Sequence, residues 1–122
     1  MTIRKERGTA AEDAAVEHVR ALGYELLGRN VRVGRLEIDI VARDGEVIAV
    51  IEVRTRGSTA WQNAFDSVDF RKQARVRRAA QILWSRRFSK LPGVERVRFD
   101  VARVNLDAAD GPAVEYVRAA FI

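Results

Sequence analysis

A single α/β domain is the fold class that this sequence predicts. Helical spacing of apolar residues opens the chain, two strongly apolar strand patterns joined by a short turn follow, and a second helical pattern precedes a further strand pattern. A chain of 122 residues is long enough to bury one hydrophobic core. We therefore expect one domain over residues 1–122, with the order helix, three strands, helix, and one or two strands. The helices should cover both faces of a mixed sheet.

The first helix is predicted to begin at Thr9 and to end near Leu22. Thr9 and Glu12 have the spacing of a capping box, in which two side chains bond the free backbone N–H groups at a helix start. Gly23 suits the left-handed backbone that ends many helices. The apolar residues follow helical spacing and predict one buried stripe, made of Ala11, Ala15, Val19 and Leu22.

Residues 36–54 predict a hairpin of two strands. Asp44-Gly45 is a dipeptide that suits a two-residue type I′ turn. If Arg43 pairs with Glu46, the register aligns position 41 with 48, 39 with 50 and 37 with 52. Both strands carry apolar residues on both faces, which is typical of central strands in a covered sheet.

Other strands are predicted on both sides of this hairpin in the sequence. The first extends from Tyr24 to Val33 with an irregularity at Gly28, and a turn follows at Gly34-Arg35. Alternation predicts another strand over Glu95–Val104, and a weaker final strand over Val114–Val117.

A polar loop over 55–66 and a second helix are predicted between the hairpin and the later strands. Ser67 suits the N-cap of this helix, Asp69 lies in its first turn, and the helix should end near Arg87. Its buried stripe is predicted to contain Val76, Ala79, Ala80 and Leu83.

Composition excludes several classes of protein. The chain has no cysteine, which excludes disulfides, thiolate zinc sites and cysteine nucleophiles. Residues 1–8 lack the apolar stretch of a signal peptide, and no apolar run reaches membrane-spanning length. We expect a cytoplasmic protein without a membrane partner.

Basic residues are concentrated in one part of the chain, which has a net charge of +5. No acid lies between Asp69 and Glu95, although this segment contains eight bases. Arg71, Arg75 and Arg78 should lie on the exposed face of the second helix, where like charges repel one another. This pattern favours a polyanionic partner, and a merely solvated helix face is the alternative.

Acidic residues cluster at one end of the hairpin. Alternation places Glu37, Asp39, Glu52 and Arg54 on one face, with Asp39 and Glu52 as diagonal neighbours roughly 7–8 Å apart at the backbone. Burying such charges costs free energy unless they bind something. The pair is therefore a candidate metal site, with the carbonyl of Val53 as a third oxygen ligand.

The chain resembles the PD-(D/E)xK nuclease superfamily and, more closely, the bacterial YraN-like family, which is related to archaeal Holliday-junction resolvases. The resemblance spans most of the chain and implies a restriction-endonuclease-like core. The matching residues are Gly8, Glu12, Ala15, Gly23-Tyr24, Arg29-Asn30, Glu37–Ala42, Glu52–Arg56, Lys72 and Arg98–Val101.

The resemblance implies Mg²⁺ or Mn²⁺ held by Asp39 and Glu52, and it often places an acid of the first helix at the site. Glu12 matches that acid, although its place in the predicted capping box is an alternative explanation. Glu37 is either a further ligand or a strand-end charge paired with Arg54. We expect Asp100 to pair with a base and support the fold, and His18 to be a partly buried residue rather than a ligand.

Arg54 departs from the superfamily motif, which has lysine at this position. Arginine keeps the positive charge and bonds phosphate well, but it stays protonated and cannot act as a base. Its identity therefore leaves activity undecided. Candidate contacts to nucleic acid are Arg56, Arg71, Lys72, Arg75 and Arg78. Lys72 borders the apolar stripe and matches a family lysine, so contact with the active-site phosphate is its alternative role.

The leading interpretation is a metal-dependent endonuclease acting on DNA, which is favoured over RNA, with branched or structured DNA as one substrate class. The alternative is a catalytically weak or inactive nucleic-acid-binding protein on a nuclease scaffold. A third class is a protein adaptor whose basic helix binds an acidic partner. A homodimer is left open.

Overall fold

The computed structural model of the chain describes residues 3–55 and 70–121. The predicted order of helix, three strands, helix and strands is confirmed, with two strands at the end. The elements are α1 (Ile3–Ala21), β1 (Glu25–Val33), β2 (Leu36–Asp44), β3 (Val47–Thr55), α2 (Phe70–Arg86), a 3-10 turn (Phe88–Lys90), β4 (Arg96–Asn105) and β5 (Ala113–Phe121). Neither α1 nor α2 combines the length and apolarity needed to cross a membrane.

The five strands form one mixed sheet in the order β1-β2-β3-β4-β5. Strands β3 and β4 are parallel, with α2 in the connection between them, and the other neighbouring pairs are antiparallel. Helix α1 packs on one face of the sheet and α2 on the other, so each face has its own apolar cluster. This is the mixed sheet covered by helices that the sequence predicts, and it is compatible with a restriction-endonuclease-like core.

The predicted start of the first helix is wrong. Helix α1 begins at Ile3, so Thr9 and Glu12 lie inside the helix and do not form a capping box. The preceding residues are mostly straight-chain charged residues, which are good helix formers and extend the helix toward the N-terminus. Gly23 has a φ of 90° and follows the helix end, as predicted, but Leu22 is 43% exposed and does not join the buried stripe.

The predicted hairpin register is wrong by two residues on β3. Asp44 pairs with Val47, so the loop is Gly45-Glu46 and position 41 faces position 50. Gly45 has a positive φ and Glu46 does not, which is the pattern of a type II′ turn. In this turn only the glycine adopts the left-handed backbone conformation. The backbone carbonyl of Glu46 also accepts a hydrogen bond from Glu95 N at 2.7 Å. The shift preserves which faces the paired residues occupy.

Other strand predictions have mixed outcomes. The irregularity near Gly28 is confirmed as a register shift between β1 and β2, and β1 and β2 are joined by the predicted turn. The final strand is longer than predicted, at nine residues. The buried stripe of α2 is confirmed. Thr55 ends β3, while the rest of the predicted polar loop, the cap at Ser67 and Asp69 lie outside the described residues.

A buried carboxylate joins β4 to β5. Asp100 is fully buried and accepts two hydrogen bonds at 2.8 Å from the guanidinium of Arg98. It also accepts hydrogen bonds from the hydroxyl of Tyr116 and, at 2.9 Å, from the backbone N–H of Ala119. These bonds satisfy the buried charge, and they confirm that Asp100 pairs with a base and supports the fold.

Arg98 extends this network to two other elements. It donates to Asp44 at 3.0 Å, at the end of β2, and to the hydroxyl of Tyr24 at 3.1 Å. His18 is half-buried, as predicted, and its ring lies 6.0 Å from that of Tyr116. The network therefore fixes β4 against the hairpin end of β2 and beneath α1.

We predict that Asp100→Asn lowers the free energy of unfolding by about 3 kcal/mol, because it leaves the largely buried guanidinium of Arg98 with weaker compensation. Urea unfolding followed by circular dichroism measures this loss. The exposed Asp110→Asn is the matched control, with an expected effect below about 0.5 kcal/mol. Equal effects of the two substitutions would contradict a structural role for Asp100.

Candidate active site

Strand β3 leaves its partner β2 at the position of the predicted acids. The β2–β3 pairing ends at Ile40 and Ile51, whereas β3 stays paired with β4 as far as Thr55. Beyond this point the backbone N–H of Val53 donates a hydrogen bond to Oδ2 of Asp39 at 2.9 Å. The carboxylate thus replaces a missing backbone acceptor in the gap between the two strands.

Asp39 also interrupts the alternation of β2. Ile38 packs in the same cluster as Val41, although alternation predicts that it shares a face with Ile40. On β1, the neighbours of Asn30 pair with the neighbours of Asp39, and Asn30 has a φ of 49°. The distortion of both strands lies at the level of the acid.

Glu52 lies on the adjacent strand, and the continued register places it opposite Asp39 rather than diagonal to it. It is 8% exposed, which is rare for a carboxylate without partners. The ammonium of Lys72 lies 2.6 Å from its Oε1, and the guanidinium of Arg54 lies 3.7 Å from the same atom. A lysine from the start of α2 is therefore nearer to Glu52 than the residue at the motif position.

Glu12 reaches the same region from α1. Its charge is among those that raise the pKa of Asp39, and its Oε1 lies 3.6 Å from Arg29, which also binds Asp13 at 2.8 Å. The functional position of Glu12 thus has support that the capping-box explanation lacks. Within residues 3–55 and 70–121, however, no group of three or more acids or histidines is arranged to hold a metal ion.

Glu37 does not pair with Arg54. It lies 3.6 Å from Arg32 on the neighbouring strand β1, and 40% of its side chain is exposed. Of its two predicted roles, pairing with Arg54 is wrong, because the carboxylate reaches across to β1. The sequence pattern predicts no role for Arg29 or Arg32, since pairs between strands depend on the register.

The pKa of Asp39 is raised to about 7. Burial is the largest cause, and the negative charge of Glu52 is the second. The hydrogen bond from Val53 and the positive charge of Lys72 act in the opposite direction, and Glu12 adds a smaller upward effect. Because burial and like charge both disfavour the ionised carboxylate, a cation bound here would be stabilised.

The predicted nucleic-acid face of α2 is exposed. Arg71, Arg75 and Arg78 all lie at the surface, on the side away from the buried stripe. Lys72 differs from them, because it turns toward Glu52 and is 36% exposed. Arg56 lies outside the described residues.

We predict that the free energy of unfolding falls as the pH rises from about 4 to 7, because folded Asp39 binds its proton more tightly than unfolded Asp39 over this range. Asp39→Asn should remove this contribution and raise the free energy of unfolding near pH 8 by about 1–2 kcal/mol. Urea unfolding at a series of pH values measures it, with Asp110→Asn as the control. A variant with an unchanged pH profile would contradict a raised pKa at Asp39.

Comparison with known proteins assigns the family. The model of the uncharacterised protein family UPF0102 matches residues 11–104. A UPF0102 protein of Sorangium cellulosum is 56% identical over 118 residues, which cover 97% of this chain and 82% of that protein. A UPF0102 protein of Moorella thermoacetica is 46% identical over 120 residues, with 97% of each chain covered. This chain therefore belongs to the family UPF0102, the YraN-like family that its sequence resembles.

Proposed function

We propose that the protein is a divalent-metal-dependent endonuclease that hydrolyses phosphodiester bonds in DNA, as a member of the PD-(D/E)xK superfamily. One observation carries the proposal. Buried Glu52 lies across from Asp39 where two strands separate, and a lysine ammonium is 2.6 Å from it. Paired acids beside a cation, where two interior strands of the sheet separate, are the groups that phosphodiester hydrolysis requires.

The donor atoms fit a Mg²⁺ or Mn²⁺ ion. Asp39 and Glu52 supply two carboxylates, and the carbonyl of Val53 supplies a third oxygen. Mg²⁺ commonly binds one or two carboxylates and completes its shell with water and phosphate oxygens, so a third acid is not required. When bound, the ion would neutralise charge on the phosphate and favour ionisation of an attacking water.

Lys72 supplies the lysine that the motif lacks at Arg54. Hydrolysis adds negative charge to the phosphate oxygens as water attacks the phosphorus and the bond to the leaving oxygen breaks. The ammonium of Lys72 and the guanidinium of Arg54 both lie beside Glu52, where they can donate hydrogen bonds to those oxygens. Of the two roles predicted for Lys72, this assignment selects contact with the reacting phosphate.

The charge distribution favours nucleic acid as the substrate. The exposed arginines Arg71, Arg75 and Arg78 begin next to Lys72 on the same helix, so a polyanion bound to them would pass the acids. Arg56 directly follows β3 in the sequence and completes the proposed contacts. DNA is the proposed substrate rather than RNA, and branched DNA is one class to test. A cytoplasmic location remains a prediction, and a homodimer is left open.

A nucleic-acid-binding protein without catalysis is the second candidate. Two observations favour it, namely the arginine at the motif position and the lack of a three-acid group among the residues that the structure describes. Cleavage and binding must therefore be measured separately. The substrates are linear, nicked, flapped and four-way-junction DNA, each incubated with Mg²⁺, Mn²⁺ or a chelator.

We predict cleavage with Mg²⁺ or Mn²⁺ and none with the chelator. Asp39→Asn should abolish cleavage while DNA binding changes little, because the amide keeps the shape but not the charge that binds the ion. Lys72→Met should lower the cleavage rate about 100- to 1,000-fold, the size expected for loss of one transition-state donor. Arg54→Lys should preserve or raise the rate, since it restores the motif residue.

Lys90→Met is the control, because it removes an exposed lysine outside the site and should leave the rate unchanged. If the wild type binds DNA but never cleaves it, and Arg54→Lys does not restore cleavage, the binding protein is the correct interpretation. If Lys72→Met cleaves like the wild type, the role given to Lys72 is wrong.

A further inference from the structure

A polar cleft adjoins the candidate active site. It has a volume of about 190 Å³ and lies between the turn that connects β1 to β2 and the first turns of α2. Arg35, Leu36 and Glu37 line it from the turn side, and Lys72, Arg75 and Val76 line it from the helix. Three of these six residues are cations, and one is an acid.

Acids among the described residues offset only part of the positive charge in this cleft. Glu37, the acid in the lining, lies 3.6 Å from Arg32, and Lys72 is bound to Glu52. Across the described part of the chain, neither Arg35 nor Arg75 has an ion-pair partner, and both side chains are exposed. Two unpaired guanidinium groups from separate elements therefore line one small cleft, which favours an anionic ligand.

We infer that this cleft binds one backbone phosphate of the nucleic acid, next to the phosphate that the active site would hydrolyse. The inference rests on the proposed function and adds a phosphate subsite to it, with Arg35 as a contact that the sequence pattern does not predict. Lys72 links the two places, because it lines the cleft and also bonds Glu52. A strand with one phosphate in the cleft would thus place a neighbouring phosphate at the acids.

A polymer fits the surroundings better than a free anion. Arg75 belongs both to the cleft and to the exposed arginine face of α2, so the positive surface continues beyond the cleft instead of enclosing it. Arginine forks recognise phosphate oxygens through paired hydrogen bonds, and an open cationic groove follows a nucleic-acid backbone. Inorganic phosphate has the same local chemistry, so the experiment must separate the two.

The test measures DNA affinity against salt concentration, with a chelator present so that cleavage cannot interfere. The variants are Arg35→Gln, Arg75→Gln and the double variant. The matched control is the double variant Arg20→Gln/Arg86→Gln, which removes two exposed arginines from the last turns of α1 and α2. Circular dichroism confirms that every variant is folded.

We expect each single variant to bind about tenfold more weakly with nearly the wild-type salt slope, because the remaining arginine still neutralises the shared phosphate. The double variant should lose about 0.9 units of slope on duplex DNA, the value for one phosphate contact. The control should keep more affinity than the double variant. Wild-type affinity and salt slope in the double variant would overturn the inference. A loss of two full units of salt slope would also overturn it, because the two arginines would then contact two separate phosphates.

Two further measurements separate the possible failures. If the wild type binds DNA with the expected slopes but does not cleave it with metal, the nuclease proposal fails and the phosphate subsite stands. If the double variant cleaves and binds like the wild type, the subsite fails and the nuclease proposal stands. If the double variant loses binding of inorganic phosphate in calorimetric titration but keeps the wild-type DNA affinity and salt slope, the cleft is a site for a free anion, and the inference is wrong.

Discussion

The structure depends on one constraint, which is that β3 pairs with its two neighbouring strands over unequal lengths. It pairs with β4 along all nine of its residues, but with β2 only from Val47 to Ile51. The backbone N–H of Val53 would therefore lack an acceptor on the β2 side, and the carboxylate of Asp39 provides one at 2.9 Å. The acid thus completes the sheet at the position where the strands part.

Electrostatics at this opening follow from that geometry. The register of β2 and β3 brings Glu52 opposite Asp39, and their mutual repulsion adds to the cost of burial. Lys72 from α2 offsets part of this cost. The network around Asp100 links β4 to Asp44 at the end of β2, and β4 in turn pairs with β3. The protein thus uses one fully satisfied buried charge to fix the sheet and leaves the other pair only partly compensated. Incomplete compensation makes Asp39 and Glu52, rather than Asp100, the candidates for a binding site.

Sequence patterns predicted the parts of this arrangement that depend on local periodicity. Alternation selected Asp39 and Glu52, and the error in the hairpin register did not change this choice because the shift was an even number of residues. Alternation failed at Ile38, which packs with Val41 and not on the face of Ile40. The capping box at Thr9 was wrong, since helix-forming residues before it extended α1 and only tertiary structure defines a helix start of this kind. The positions of Lys72 and Arg35 depend on how a helix and a distant turn approach each other. No local pattern carries that information.

Calorimetric titration of Mn²⁺ into the protein tests the central claim most directly, because it asks whether the two acids bind a cation without requiring any substrate. We expect one binding site in the wild type, with proton release near pH 7 because the ion displaces the proton of Asp39, whose pKa is about 7. Asp39→Asn should weaken binding at least about tenfold, and Asp110→Asn should not. Equal binding by the wild type and Asp39→Asn, or no binding by the wild type, would contradict the account.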